Sequence, residues 1–317
     1  MTNDRVISGV ELWQWRQNAL AEAKVTDVPL MEVDWILQEV AGLDRLAIRL
    51  ESFKNRPEIK LNFPLSELNR LWKRRLYDRL PVQYITGVTH WRNFSLVVSP
   101  AVLIPRPETE LLIDLAVEAM KRGSEGAGER GSAIKNSSFY VSQFPIIQWA
   151  DLGTGSGAIA IGLADAFPDA IVHAVDKSQD ALSIAQQNAQ KLSFGDRIKF
   201  YQGSWFEPLE ALKGQLTGMI SNPPYIPSSM VLNLQAEVTQ HEPHLALDGG
   251  SDGLDCIRYL VEKAPDYLCS GGVWLIEMMA GQAQLVVDLL RKNGSYDRVE
   301  ILPDLAGIER FALAFRS

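Results

Sequence analysis

The chain has 317 residues, of which 46% are hydrophobic and 22% charged, and a formal net charge of −8. This balance is that of a folded globular protein and excludes wholesale disorder; the length suits one large domain or two at roughly 100–200 residues each. Two cysteines and four histidines without ligand spacing exclude a disulfide framework and a zinc cluster, so no metal is expected.

The first twenty residues, MTNDRVISGVELWQWRQNAL, lack the apolar core of about 7–15 residues that a secretory signal needs. No run reaches the ~18 apolar residues of a membrane span, so a cytoplasmic chain with no membrane partner is expected. Charge is uneven: residues 1–82 hold 13 Lys and Arg against 12 Asp and Glu, and the remainder holds 18 against 27. An acidic second part is a poor match for a phosphate backbone, so no stable nucleic-acid binding is expected.

In chain order, VELWQWRQNALAEA, PLMEVDWILQEVAGL and LSELNRLWKRRLYDRL carry apolar residues at three-and-four spacing, with Pro, Gly and Asn between them. Residues 1–81 therefore read as a small helical domain. Its basic run Lys73-Arg74-Arg75 reads as a solvated helix face, with a partner-binding patch as the alternative. Residues 82–104 turn to β-branched and aromatic types and read as a hairpin linker. A helix is expected from Glu108 to Met120, with Pro107 at a favoured first position and Glu108 and Glu110 complementing its dipole. The stretch 121–138, rich in Gly, Ser and charge, reads as a loop without function.

From about residue 144 strands alternate with helices, as a mostly parallel sheet requires. FPIIQWAD leads to a helix from Gly157, and AIVHAVD leads to SQDALSIAQQNAQKLS, with Ser178 as N-cap. RIKFYQG, LTGMI and GGVWLIEM continue the sheet, and RVEILP with ERFALAFR forms an antiparallel pair at its edge. The expected fold is α/β and Rossmann-like over residues 105–317.

Asp151-Leu152-Gly153-Thr154-Gly155-Ser156-Gly157 follows the first strand of this sheet and opens a helix. Glycines there let the backbone turn sharply and approach a ligand, and the helix N-terminus offers free N–H groups. Asp176 ends the next strand, where a carboxylate can accept both hydroxyls of a ribose. Gly153-x-Gly155-x-x-Ala158 also satisfies a dinucleotide fingerprint, which keeps NAD open as a ligand. Asp151 favours S-adenosylmethionine: an acid before the first glycine suits the ammonium of a methionine moiety and not a pyrophosphate. Trp205, in Gly203-Ser204-Trp205-Phe206, reads either as a wall for adenine or as a core residue.

LTGMI delivers Ser221-Asn222-Pro223-Pro224-Tyr225-Ile226 to the same carboxyl edge. Two prolines stiffen the loop and push Asn222 and Pro223 toward extended geometry. A carboxamide nitrogen is a feeble nucleophile because its lone pair is delocalised, so it must be held in place. The Asn222 side-chain oxygen and the Pro223 carbonyl are candidate acceptors for its two N–H groups, with Tyr225 packed on the planar amide. His241 and His244 read as loop-structuring residues, and Arg106 as a residue that faces a ligand.

LIPRPETE (Leu103 to Glu110), DLGTGSGAIA, VDKSQDAL, SNPPYI and EVTQHEPHLALDGGSDGLD (Glu237 to Asp255) together resemble the protein-(glutamine-N5) methyltransferases that modify peptide chain release factors. The resemblance covers most of residues 81–317. It implies a Rossmann-like methyltransferase domain, S-adenosyl-L-methionine as cofactor, and transfer to the glutamine of a Gly-Gly-Gln loop in class I release factors. It further implies that Gly153, Thr154, Gly155, Ser156, Gly157, Asp176 and Trp205 bind the cofactor. Asn222, Pro223, Pro224 and Tyr225 would hold the glutamine, Asn222 also lying near the cofactor, and catalysis would rest on Asn222, Pro223 and Tyr225. The chain departs from the family's pattern at Thr217, where an aspartate is frequent, and at Met278-Met279-Ala280. An adenine-N6 methyltransferase using the same NPPY loop and a catalytically silent binding module are the competing readings.

Overall fold

The computed structural model describes residues 4–125 and 146–317. Their contacts divide into two units. One holds the chain up to Val88 together with Gln235–His241; the other holds Thr89–Leu234 and Glu242–Ser317.

In the first unit, strand β1 (Val6–Ile7) pairs antiparallel with β2 (Ile59–Lys60). The helix Gly9–Thr26 starts on a capping box in which Ser8 and Glu11 satisfy each other's backbone N–H groups. Met31–Ala41 ends at Gly42 in the left-handed region, and Leu65–Tyr77 supplies the third long helix. Leu12, Ile36, Leu37, Phe53 and Trp72 form the core.

The basic run is a solvated face only in part: Lys73 is exposed and Arg74 half-exposed, and Arg75 is the exception. Arg75 is buried among Leu68, Trp72 and Leu76. It donates from Nη2 to Glu32 at 2.9 Å and from Nη1 to Glu237 at 2.9 Å. Arg79 pairs with the same Glu237 at 2.6 Å, and Lys73 pairs with Glu22. Glu237 lies in the helix Ala236–His241, where the chain rejoins this unit, and His241 donates from Nε2 to the Asp78 carbonyl.

The segment 82–104 is not one hairpin linker. Val82–Thr86 is helical between Pro81 and a left-handed Gly87, and Val82 and Ile85 are buried in the helical unit's core. Burial against neighbouring helices overrides the β propensity of these residues. Only β3 (Val88–Trp91) and β4 (Phe94–Val97) form the hairpin, and Trp91 and Leu96 join the core of the sheet unit.

The sheet unit is built on β5 (Gln148–Leu152), β6 (Ile171–Asp176), β7 (Ile198–Gln202), β8 (Leu216–Ser221), β9 (Leu268–Glu277), β10 (Tyr296–Pro303) and β11 (Glu309–Arg316). The strand order is β10-β11-β9-β8-β5-β6-β7, parallel except for β11, which runs antiparallel to both neighbours. The strands read as near-continuous apolar runs because both faces are covered. Along β9, Val273 and Leu275 join one core layer, and Trp274 and Ile276 join the other. Gly218 of β8 pairs with Trp149 of β5, and a Cβ there would lie 2.3 Å from the indole.

The strand order reverses between β5 and β8, so chain segments leaving these two strands border the crevice at a topological switch point. Before it in sequence, a short 3-10 turn Glu108–Glu110 leads into the helix Leu111–Glu125. The helix runs past Met120 through residues 121–125, which were expected in the loop, and the rest of 121–138 lies outside the described residues. Cys256 and Cys269 are free, half-buried thiols.

Candidate active site

Asp151, the last residue but one of β5, is fully buried. Its Oδ2 accepts from the Thr154 hydroxyl at 2.6 Å and from the Ala160 N–H at 3.0 Å. Its Oδ1 has no hydrogen-bond partner among the described residues. Burial pushes this carboxyl up to about 7, against the pull of Thr154 and Ala160.

The glycine turn is set by backbone geometry. Gly153 and Gly157 both have φ of +83°, a region that L side chains rarely enter. A Cβ at Gly157 would also crowd Ala185 at 3.1 Å, so this glycine lets the helix Gln179–Lys191 approach. A Cβ at Gly155 would meet nothing within 4 Å; the space over that residue is open.

Asp176 closes the turn from β6: its Oδ2 accepts from the Gly155 N–H at 2.8 Å and its Oδ1 from the Ser178 N–H at 2.9 Å. Burial raises its pKa, opposed by those N–H groups. Trp205 comes to the same place, with the edge of its ring 3.4 Å from where a Gly153 Cβ would stand. Phe206 beside it belongs to the core. Thr154 and Ser156 are buried; the Thr154 hydroxyl turns inward to Asp151, and the Ser156 carbonyl accepts from Asn188.

The second loop is rooted to the first. Ser221, the last residue of β8, donates its hydroxyl to the carbonyl of Leu152, the last residue of β5, at 2.7 Å. The residues that follow these two are Asn222 and Gly153, so the bond holds the start of NPPY beside the start of the glycine turn. Ser221 is fully buried, and sequence reasoning passed over it.

Asn222 is half-buried and donates from Nδ2 to Thr109 Oγ1 at 3.2 Å. Thr109 in turn donates to Glu277 Oε2 at 2.8 Å, and the Tyr225 hydroxyl donates to Glu277 Oε1 at 3.1 Å. Glu277 is buried at the end of β9, and burial lifts its carboxyl to about 7, offset in part by the Thr109 and Tyr225 hydrogen bonds and by Arg310. The Tyr225 phenol is raised as well, chiefly by burial and then by the Glu277 charge.

The exit of the loop is equally fixed. Gln282 donates from Nε2 to the Tyr225 carbonyl at 3.0 Å, while its Oε1 accepts from the Met279 N–H at 3.0 Å. Ile226 bridges to Asp248: its N–H reaches the Leu247 carbonyl at 3.0 Å, and its own carbonyl accepts from Gly249 at 2.8 Å. The HLALDGG run is therefore a buttress for NPPY. Thr217, a departure from the family's pattern, is satisfied within the sheet, donating to the Gln148 carbonyl at 2.7 Å and accepting from the Gln148 N–H at 2.6 Å.

Arg106, expected to face a ligand, is held by protein partners. It pairs with the buried Glu242 at 2.7 Å, and its carbonyl accepts from the Trp91 indole. Glu110 does more than complement a helix dipole, since it accepts from the Arg92 backbone N–H at 2.8 Å.

Residues 134–251 match the methyltransferase small domain family. A release factor glutamine methyltransferase from Synechocystis is 48% identical over 98% of both chains. One from Thermosynechococcus vestitus is 46% identical over 95% of this chain and 96% of its own. Among solved structures, the hMettl16 catalytic domain in complex with a MAT2A 3'UTR hairpin aligns with a TM-score of 0.52 at 13% identity, covering 82% of this chain and 84% of that one, which supports the shared methyltransferase fold. With near-complete coverage at close to half identity, on a sheet whose two switch-point loops carry the glycine turn and NPPY, the chain belongs to the release factor glutamine methyltransferase family.

Proposed function

We propose that this chain transfers a methyl group from S-adenosyl-L-methionine to the N5 amide nitrogen of the Gly-Gly-Gln glutamine in class I peptide chain release factors. The observation that carries the reading is the Ser221–Leu152 bond, which holds Asn222 against the glycine turn.

The residues of the turn fit the cofactor. The unpartnered, buried Asp151 Oδ1 suits an ammonium, because leaving such an oxygen without a donor is costly. The open space at Gly155 and the Trp205 ring beside Gly153 leave room for the cofactor's nucleoside moiety. When bound, the cofactor supplies an electrophilic methyl carbon on a sulfonium.

The chain's own part is to hold the nucleophile. Because Asn222 spends its Nδ2 on Thr109, its Oδ1 is the atom left to accept an N–H of the incoming carboxamide. The Pro223 carbonyl, fixed between two ring-constrained residues, takes the second N–H. Both acceptors leave the amide nitrogen's lone pair directed along one line, and positioning of this kind is worth up to ~7–11 kcal/mol. Held in this way, the nitrogen would be placed to take the methyl with the thioether as leaving group, and its surplus proton would pass to solvent without a general base. His241, committed to Asp78, is not needed for it.

No helix among the described residues is long and apolar enough to cross a membrane, and a substrate of the translation machinery assigns the chain to the cytoplasm. Incubation with purified class I release factors and methyl-labelled cofactor, followed by mass mapping, tests the reading. A single methyl on the Gly-Gly-Gln glutamine is expected; label on nucleic acid with none on protein overturns it.

A further inference from the structure

Asn222 works as an acceptor only if its carboxamide is held one way round. The two ends of a primary amide have the same shape and opposite hydrogen-bonding character. Flipped, Asn222 would present N–H groups to the N–H groups of the glutamine and repel it. The residues that decide between the two orientations lie behind Asn222, on elements far apart in sequence.

We propose that Thr109 and Glu277 are positioning residues that set the polarity of the Asn222 amide and so determine whether it can accept the substrate glutamine. This inference rests on the function proposed above and adds to it a device that lies outside the NPPY loop.

The chain of reasoning starts at Glu277. Once ionised, above about pH 7, the Glu277 carboxylate only accepts, so the Thr109 hydroxyl at 2.8 Å must donate to Oε2. A hydroxyl has one proton. Having given it to Glu277, Thr109 Oγ1 can only accept from its other neighbour, and that neighbour is Asn222 Nδ2 at 3.2 Å. The amide oxygen is thereby left for the substrate. Tyr225, one of the residues expected to pack on the substrate amide, donates to the other oxygen of the same carboxylate, which keeps Oε1 from competing for Thr109. Thr109 and Glu277 are both buried, so water does not scramble the order.

A protonated or neutral group at Glu277 removes the constraint. Its hydrogen can then point at Thr109, the Thr109 proton can point at Asn222, and the flipped amide becomes equally stable. The charged and titratable groups acting on Glu277 are Tyr225, Arg310 and Glu108.

The test compares Thr109→Val, Thr109→Ser and Asn222→Ala in the full-length protein with release factor as substrate, with cofactor affinity read separately by calorimetry. Valine keeps the shape and deletes the hydroxyl, whereas serine keeps the hydroxyl. Thr109→Val is expected to lower kcat by about 10²-fold, the size of a loss of reactant positioning. It should leave cofactor affinity near that of the parent, with a lower melting temperature because the buried Glu277 loses a donor. Thr109→Ser should restore most of the rate, and Thr109→Val should add nothing to Asn222→Ala. Normal kcat in Thr109→Val, with Asn222→Ala inactive, overturns the inference and leaves the proposed function standing. Normal kcat in Asn222→Ala overturns both. An equal loss in the valine and serine variants, or a further loss from Thr109→Val on top of Asn222→Ala, assigns Thr109 to packing and overturns the inference.

Discussion

Replacing Glu277 by Gln is expected to make the protein more stable and less active, and the size of the gain depends on pH in a way fixed by the buried carboxyl. Burial lifts the Glu277 pKa from 4.5 to about 7. Between those two values the folded chain holds a proton that the unfolded chain has released. Stability from this group is therefore fully present below pH 4.5 and is lost as pH rises to about 7. The difference of about 2.5 pKa units corresponds to about 3 kcal/mol at 1.36 kcal/mol per unit. Glutamine never titrates, so the variant lacks this loss. Relative to the parent, its melting temperature should climb as pH rises from 4.5 to 7 and then level off. The relative gain is roughly 6–12 °C for a unit of this size. The geometry lets Thr109 and Tyr225 donate to the glutamine oxygen in turn, which keeps the fold intact. Parallel thermal melts of parent and variant at half-unit pH steps provide the assay. A melting difference that stays flat with pH would show that Glu277 carries no buried charge, and the reasoning from Glu277 to Thr109 would fall with it.

Deleting the Ser221 hydroxyl with Ser221→Ala removes a buried 2.7 Å bond and leaves the Leu152 carbonyl without that donor. A stability loss of about 1–3 kcal/mol is expected by denaturant titration, together with a fall in kcat as the two loops lose their common root. Arg75→Met should destabilise the helical unit by about 1–3 kcal/mol, because half-buried Glu32 then loses its cation and Glu237 is left with Arg79 alone. Hydrogen exchange resolved by segment should show the largest loss of protection in Ala236–His241; uniform protection would refute this assignment.

Much of the candidate site is legible in the sequence because its signals are local. Three glycines after an apolar run, an aspartate at the end of the next strand and two prolines after an asparagine each constrain their own backbone, and the alternating elements place them at one edge of the sheet. The contacts that orient them are not local. Thr109 and Glu277 meet across 168 positions, and nothing in PRPETE distinguishes that threonine from its neighbours. Arg75 is a different case: Leu68, Trp72 and Leu76 mark the buried stripe of their helix, and Arg75 falls on it one residue before Leu76. The run of three cations hid a periodicity that was present. Val82–Thr86 deceived for the opposite reason, since residues that favour strands were claimed by a helical core. Nor does any motif announce that helix 236–241 belongs with residues at the other end of the chain.

That last feature bears on how the protein can be dissected. The helical unit is not a module that scissors could remove at a single point, because part of it is encoded after the NPPY loop. A fragment beginning at Thr89 would retain Glu237 and His241 but lack Arg75, Arg79 and Asp78, their partners. Recombining the amino-terminal helices of one homologue with the sheet of another would need Gln235–His241 exchanged along with them.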